Sequence, residues 1–86
     1  MITTTVKRNS MRGTVLSYIL SEPGSETVNT IVDDLYHGTG TKKRIFNAVY
    51  NATENLFQRG LIYYGEGKNK TNKKLHAVKH ASECLV

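Results

Sequence analysis

The longest periodic stretch of the chain, from Thr41 to Arg59, constrains the fold more than any other feature. Its apolar residues recur at the spacing of one buried face of an α-helix. These residues are Ile45, Ala48, Val49, Ala52 and Leu56, with Phe46 and Phe57 at the margins. Thr41 is a candidate N-cap. Gly60 ends the segment, because glycine readily takes the left-handed conformation that closes a helix. We therefore predict a helix over residues 41–59.

A shorter helix is predicted over residues 10–21. Ser10 or Asn9 can cap its N-terminus. Its apolar residues form one helical stripe, and they are Met11, Val15, Leu16, Ile19 and Leu20. Pro23 and Gly24 then force a turn. Gly13 lies inside this helix and is expected to weaken it by roughly 1 kcal/mol relative to alanine.

A further helix is predicted between these two, over residues 26–36. Ser25 or Thr27 can cap it, and Glu26 would suit the positive end of the helix dipole in the first turn. The apolar positions Val28, Ile31, Val32 and Leu35 again follow the helical spacing. The sequence His37–Gly40 contains two glycines and is expected to end this helix.

The periodicity changes after Gly60. Two short β-forming runs, Leu61–Tyr64 and Leu75–Val78, flank a polar, basic and turn-rich segment, so we predict a β-hairpin over residues 61–78 with a long exposed tip. Residues 1–9 are expected to form an arm or strand. Residues 79–86 carry no strong pattern and are expected to fray. The 86 residues suffice for a single small domain.

Charge is segregated along the chain. The 12 basic and seven acidic side chains give a net charge of +5. Residues 1–40 hold three basic and four acidic side chains, whereas residues 41–80 hold nine basic and two acidic ones. Such segregation places a positive field on one part of a small body and attracts polyanions. The alternative is a solvated basic face that only keeps the protein soluble.

The order of these elements resembles the winged helix-turn-helix family of DNA-binding proteins. Thr27–Leu35 looks like the first helix of the helix-turn-helix pair, and Thr41–Arg59 looks like its recognition helix. Leu56–Ile62 resembles the family's passage into the wing, and the resemblance covers roughly residues 10–80. It implies an α+β fold of three helices followed by a β-hairpin wing. It also implies a small transcriptional regulator that binds double-stranded DNA.

Candidate DNA contacts follow from this resemblance and from the chemistry of the side chains. The N-terminal turns of a recognition helix meet base edges in the major groove, where arginine can pair with guanine and asparagine with adenine. A basic wing would follow phosphates or enter the minor groove. The candidates are Lys42, Lys43, Arg44, Asn47, Tyr50, Asn51, Lys68, Asn69, Lys70, Lys73 and Lys74. Lys7, Arg8 and Arg12 could add a further backbone contact. Each of these residues could instead be an ordinary solvent-facing side chain.

Two other functions remain open at this point. The domain could bind a protein, such as an acidic surface of a nucleic-acid enzyme, and an exposed patch at Ile62, Tyr64 or Val78 would favour this. It could also bind RNA or single-stranded DNA through hairpin aromatics interleaved with lysine. A homodimer formed through the arm and the tail is a further possibility.

We expect neither an enzyme nor a cofactor, since no nucleophile with a positioned base can be assembled from the sequence. A metal site is not expected either, because the single cysteine, Cys84, has no Cys/His cluster around it.

No apolar run is long enough for a membrane span. These features fit a cytoplasmic, reducing setting. The small size and the Asn/Lys/Thr-rich composition resemble those of a phage or other mobile-element protein.

Overall fold

The computed structural model describes residues 5–36, 38 and 41–86. Within these residues the chain forms three α-helices, two β-strands and one 3-10 helix. They are α1 (Met11–Ser21), α2 (Val28–Leu35), α3 (Lys42–Gln58), β1 (Ile62–Tyr64), β2 (Leu75–Ala77) and the 3-10 helix Ala81–Cys84. This order confirms the predicted α+β fold, three helices followed by a β-hairpin in the layout of a small winged helix. No helix in the described part of the chain combines the length and apolarity needed to cross a membrane.

Side chains cap the first two helices. The Ser10 hydroxyl oxygen accepts a hydrogen bond from the Gly13 N–H at 3.1 Å. Thr27 and Thr30 form a reciprocal pair at α2, in which each hydroxyl oxygen accepts the other residue's backbone N–H, at 3.2 and 2.8 Å. The expected place of Glu26 in the first turn of α2 was wrong, because this cap makes Val28 the first helical residue. Glu26 precedes the cap, and its carboxylate accepts from the Thr30 hydroxyl at 2.6 Å.

α3 ends as expected but begins without a side-chain cap. Thr41 occupies the N-cap position, yet its hydroxyl makes no capping hydrogen bond to a described residue. At the other end Gly60 has a φ of 75°, and the Leu61 N–H returns to the Leu56 carbonyl at 3.0 Å. In the turn before α3, Gly38 has a φ of 79°. The remainder of the predicted turn, residues 37, 39 and 40, lies outside the described residues, as do residues 1–4 of the arm.

The core forms where α1 and α2 pack against α3 and the hairpin closes the far side. Its members are apolar residues from every element, and they are Val6, Val15, Leu16, Ile19, Val28, Ile31, Val32, Val49, Ala52, Leu56, Leu61, Ile62, Leu75 and Ala81. Their positions on the helices are largely the predicted stripes. Thr53 is also fully buried, and its hydroxyl donates to the Val49 carbonyl at 2.8 Å, so the buried hydroxyl hydrogen of Thr53 has a partner.

The hairpin is held on both sides of β2. β1 and β2 pair antiparallel, with Tyr63 opposite His76. On the other edge of β2, the Leu75 N–H donates to the Glu26 carbonyl at 2.8 Å and the Leu75 carbonyl accepts from the Gly24 N–H at 3.3 Å. The connection between α1 and α2 therefore lies beside β2 in the position of a third strand. This contact fixes the base of the wing relative to the helices.

The two ends of the described chain pair with each other. Val6 forms a parallel bridge with Leu85, and the Val6 N–H donates to the Cys84 carbonyl at 2.8 Å. The Arg8 N–H extends the pairing to the Val86 carbonyl at 3.1 Å. Ala81 and Val6 are both buried. The expectation that residues 79–86 fray was therefore wrong. We call this pairing between the arm and the tail the terminal clasp. The homodimer expected through the same two segments stays a prediction.

Candidate nucleic-acid interface

The first turn of α3 carries three consecutive cations, and all three are exposed. The Lys42 ammonium lies 2.9 Å from a carboxylate oxygen of Asp33 and 5.8 Å from the centre of the Tyr36 ring. Lys43 and Arg44 form no ion pair with any described residue. Cations at this end of a helix oppose its dipole by about 0.3–1 kcal/mol each. An anion at this position would relieve that repulsion.

The face of α3 that follows these cations is polar. Asn47 and Asn51 are exposed, and they lie one helical turn apart. Tyr50 is half-buried and stacks on Phe46, with ring centres 6.1 Å apart and planes at 9°. Tyr50 therefore lies at the edge of the core, on the side of α3 that faces the wing, while the two asparagines project into solvent.

The wing loop, residues 65–74, folds back onto the helices. The Asn29 N–H of α2 donates to the Thr71 carbonyl at 3.3 Å, and the Asn29 side-chain amide donates to the Asn72 side-chain oxygen at 2.6 Å. The side-chain oxygen of Asn69 accepts from the Thr71 hydroxyl at 2.8 Å and from the Asn72 N–H at 3.2 Å. Asn69 thus shapes the turn itself. The predicted long tip is present, but it is tethered to α2 rather than extended away from the domain.

Gly67 allows the loop to close on itself. A Cβ built on this residue would lie 2.6 Å from the Cα of Lys73, and its φ of 155° is one that other residues rarely adopt. Across the loop, the Lys74 N–H donates to the Glu66 carbonyl at 3.0 Å. Lys68 and Lys74 are exposed, and Lys73 is half-buried. These three lysines form no ion pair with the described residues.

Glu54 joins α3 to the wing. One of its carboxylate oxygens accepts from the Tyr64 hydroxyl at 2.8 Å and lies 3.1 Å from the Lys70 ammonium. The Tyr64 hydroxyl, and secondly Lys70, hold the pKa of the Glu54 carboxyl below its usual range, against an opposing effect of burial. Burial and the neighbouring carboxylate raise the pKa of Tyr64. The same carboxylate raises the pKa of Lys70.

A groove lies between α2 and the first turns of α3. It has a volume of about 430 Å³. Its lining residues come from α2 and from the N-terminal part of α3, and they are Asn29, Val32, Asp33, Lys42, Lys43 and Phe46. Asn29 lines this groove together with Lys43, and its side chain also binds the wing loop at Asn72. The fold thereby holds the basic wing loop against α2 and α3, through Asn29 and Glu54.

A second cleft lies on the other flank of α3, between this helix and α1. It has a volume of about 360 Å³ and is lined by Ser10, Met11, Arg12, Ala48, Asn51, Ala52 and Asn55. Arg12, which is half-buried, therefore lines the same cleft as the exposed Asn51. The side-chain oxygen of Asn55 is buried here without a hydrogen-bond partner among the described residues. From the sequence, Arg12 is predicted only as a further contact to the DNA backbone. No local sequence pattern indicates which side of α3 is covered by α1.

The sequence-predicted residues fall into two groups in the structure. Lys43, Arg44, Asn47 and Asn51 on α3 are exposed, as are Lys68, Asn69 and Lys74 in the wing loop. Lys42 and Lys70 are held by carboxylates, and Tyr50 and Lys73 are half-buried. Three residues organise the wing without being among the predicted DNA contacts, and they are Asn29, Glu54 and Tyr64. Their pairing depends on the path of the loop, which no local pattern encodes.

The described residues contain no group of three or more His, Cys, Asp or Glu side chains placed to hold a metal ion. Comparison of the chain with models of protein families, with curated proteins and with solved structures gave no match.

Proposed function

We propose that the protein binds double-stranded DNA through the exposed face of α3 and the wing loop. The observation that carries this proposal is the docking of the basic wing loop onto α2 and α3, through Asn29 and Glu54, because α3 also carries the exposed residues Lys43, Arg44, Asn47 and Asn51. An α-helix fits the major groove, and lysine and arginine beside it neutralise phosphates. Arg12 adds a cation on the opposite flank of α3. Regulation of transcription is the role that the resemblance to winged helices implies.

Salt dependence of binding tests this proposal. Fluorescence anisotropy with a labelled mixed-sequence duplex should show binding at low salt that weakens steeply as salt is added. Each neutralised phosphate should contribute a slope of about −0.9 in log affinity against log salt. Absence of binding by micromolar protein at low salt would refute the proposal.

A matched pair of variants distinguishes binding through this interface from binding that depends only on the net charge of the protein. Lys43→Ala combined with Arg44→Ala should weaken binding and make the salt slope shallower by about 1.8, if each cation contacts one phosphate. Lys79→Ala removes an exposed cation at the end of the hairpin away from the wing loop and should leave affinity nearly unchanged. Equal losses per charge at the two places would show that binding follows total charge alone.

Binding of single-stranded nucleic acid is a second candidate, favoured by one observation. Tyr63 is 50% exposed and lies parallel to the His76 ring, with ring centres 5.0 Å apart, so it offers a flat surface for a base. Competition between duplex and single-stranded oligonucleotides of the same sequence separates the two proposals. The apolar patch that would favour a protein partner is not formed, because Ile62 is buried and both Tyr64 and Val78 are half-buried.

A further inference from the structure

Glu54 lies two turns after Asn47 on α3 and therefore on the same side of this helix, which is the side proposed to bind DNA. Its side chain is 21% exposed, and that of Lys70 is 51% exposed. Both Tyr64 and Lys70 contact the same Glu54 oxygen, at 2.8 and 3.1 Å. The Glu54 carboxylate is therefore the anionic partner of Lys70 in the free protein, as a phosphate group of DNA could be in a complex.

On the basis of the proposed DNA binding, we propose that Glu54 is a specificity-determining residue. It holds the Lys70 ammonium in an ion pair and so keeps Lys70 from contacting the DNA backbone. If Lys70 moved to a phosphate, the Glu54 carboxylate would be left facing a polyanion without its counter-ion, and like charges at short range repel. Moving Lys70 from Glu54 to a phosphate would form one ion pair and break the other. Lys70 therefore stays on Glu54 in the complex and screens its charge.

This arrangement selects against non-specific binding. Phosphate contacts supply nearly all of the sequence-independent affinity, whereas side chains that reach base edges supply the discrimination. Holding one wing lysine on a carboxylate lowers the first contribution and leaves Asn47 and Asn51 to make the second. In the wing loop, Lys68 and Lys74 then remain available to phosphates, whereas Lys70 does not.

The ion pair between Asp33 and Lys42 is more open to solvent than the pair between Glu54 and Lys70. Asp33 and Lys42 have side-chain exposures of 64% and 55%, and no other described side chain hydrogen-bonds the Asp33 carboxylate. Such open pairs contribute little and exchange readily for other partners. Lys42 can therefore turn to a phosphate, whereas Lys70 is held by a carboxylate that the Tyr64 hydroxyl also fixes.

A double-mutant cycle on the intact chain tests the inference, with a mixed-sequence duplex as the probe. Lys70→Met should weaken binding about fivefold, because the Glu54 carboxylate loses its screen, with an unchanged salt slope. Glu54→Gln keeps the hydrogen bond from Tyr64 and frees Lys70, so binding should tighten about fivefold and the slope should steepen by about 0.9. The double variant should return to within about twofold of the wild-type affinity.

The opposite result has a distinct signature. If Lys70 contacts phosphate in the wild-type complex, Lys70→Met alone makes the slope shallower by about 0.9, and adding Glu54→Gln does not restore affinity. Glu66→Gln is the charge control, since Glu66 is exposed in the same loop and its carboxylate pairs with no described residue. Tightening by Glu66→Gln equal to that by Glu54→Gln would overturn the inference. Failure of the wild-type protein to bind duplex would instead remove the proposed function itself.

Discussion

The backbone of Lys7 lies directly against Gly13 of α1, so closely that a Cβ on Gly13 would collide with the Lys7 carbonyl oxygen and lie 2.7 Å from the Cα of Arg8. The same stretch of chain reaches the terminal clasp, where the Arg8 N–H binds the Val86 carbonyl. A glycine that lowers the helix propensity of α1 therefore allows the N-terminal segment to pack on this helix. The helix propensity lost at Gly13 is offset by this contact.

Gly13→Ala should destabilise the protein although alanine favours helix. The added methyl group meets backbone atoms that cannot move without disturbing the clasp, so we expect a loss of about 1–3 kcal/mol in the free energy of unfolding, measured in urea. Gly60→Ala is the matched comparison, because its Cβ would meet nothing within 4 Å and only the φ of 75° opposes it. A stabilised Gly13→Ala variant would contradict the observed packing.

The caps of α2 and α3 predict unequal effects of the same substitution. Thr27→Ala removes a side-chain acceptor that binds the Thr30 N–H, so it should cost about 1 kcal/mol of stability. Thr41→Ala removes a hydroxyl that caps nothing in the described chain and should cost at most about 0.5 kcal/mol. Thermal unfolding of both variants makes the comparison, and an equal loss at the two positions would show that Thr41 is a cap after all.

The contact between Glu54 and Tyr64 predicts how stability depends on pH. The pKa of Glu54 is lowered in the folded protein, so its contribution is present above the ordinary value of 4.5 and is lost as the pH falls through the lower folded-state pKa. The pKa of Tyr64 is raised, so its contribution is present below the ordinary value of 10.0 and is lost as the pH rises through the folded-state pKa.

Urea unfolding of the wild-type protein and of Glu54→Gln at a series of pH values measures the acidic effect. The wild-type protein should be the more stable of the two near neutral pH, and the difference should shrink as the pH falls below 4.5. Tyr64→Phe should flatten the decline above pH 10.0. A difference between wild type and Glu54→Gln that does not change with pH would mean that the carboxylate is not held in this contact.

Local patterns predicted the helices because each depends on near neighbours in the sequence. The apolar stripes, Ser10 and Gly60 all act within a few residues, and α3 accordingly starts and ends within a residue of its expected bounds. The terminal clasp joins Val6 to Leu85, and neither residue belongs to a periodic segment. Pairing between such distant residues leaves no local pattern, so the tail was wrongly expected to fray.

The candidate interface shows the same division. Its cations could be found by counting charge along the chain, and the exposure of Lys43, Arg44, Asn47 and Asn51 follows from the stripe on the opposite side of α3. The engagement of Lys42 by Asp33 and of Lys70 by Glu54 could not be found in this way. Each pair joins residues of different elements, so no local pattern encodes it.

Amide chemical-shift mapping with a duplex oligonucleotide tests the proposed interface most directly. At low salt we expect the largest changes at Lys43, Asn47 and Asn51 on α3 and at Lys68 and Lys74 in the wing loop, with little change at the terminal clasp. Changes confined to the clasp or to the Tyr63 side of the hairpin would contradict this interface, as would an unchanged spectrum at saturating duplex.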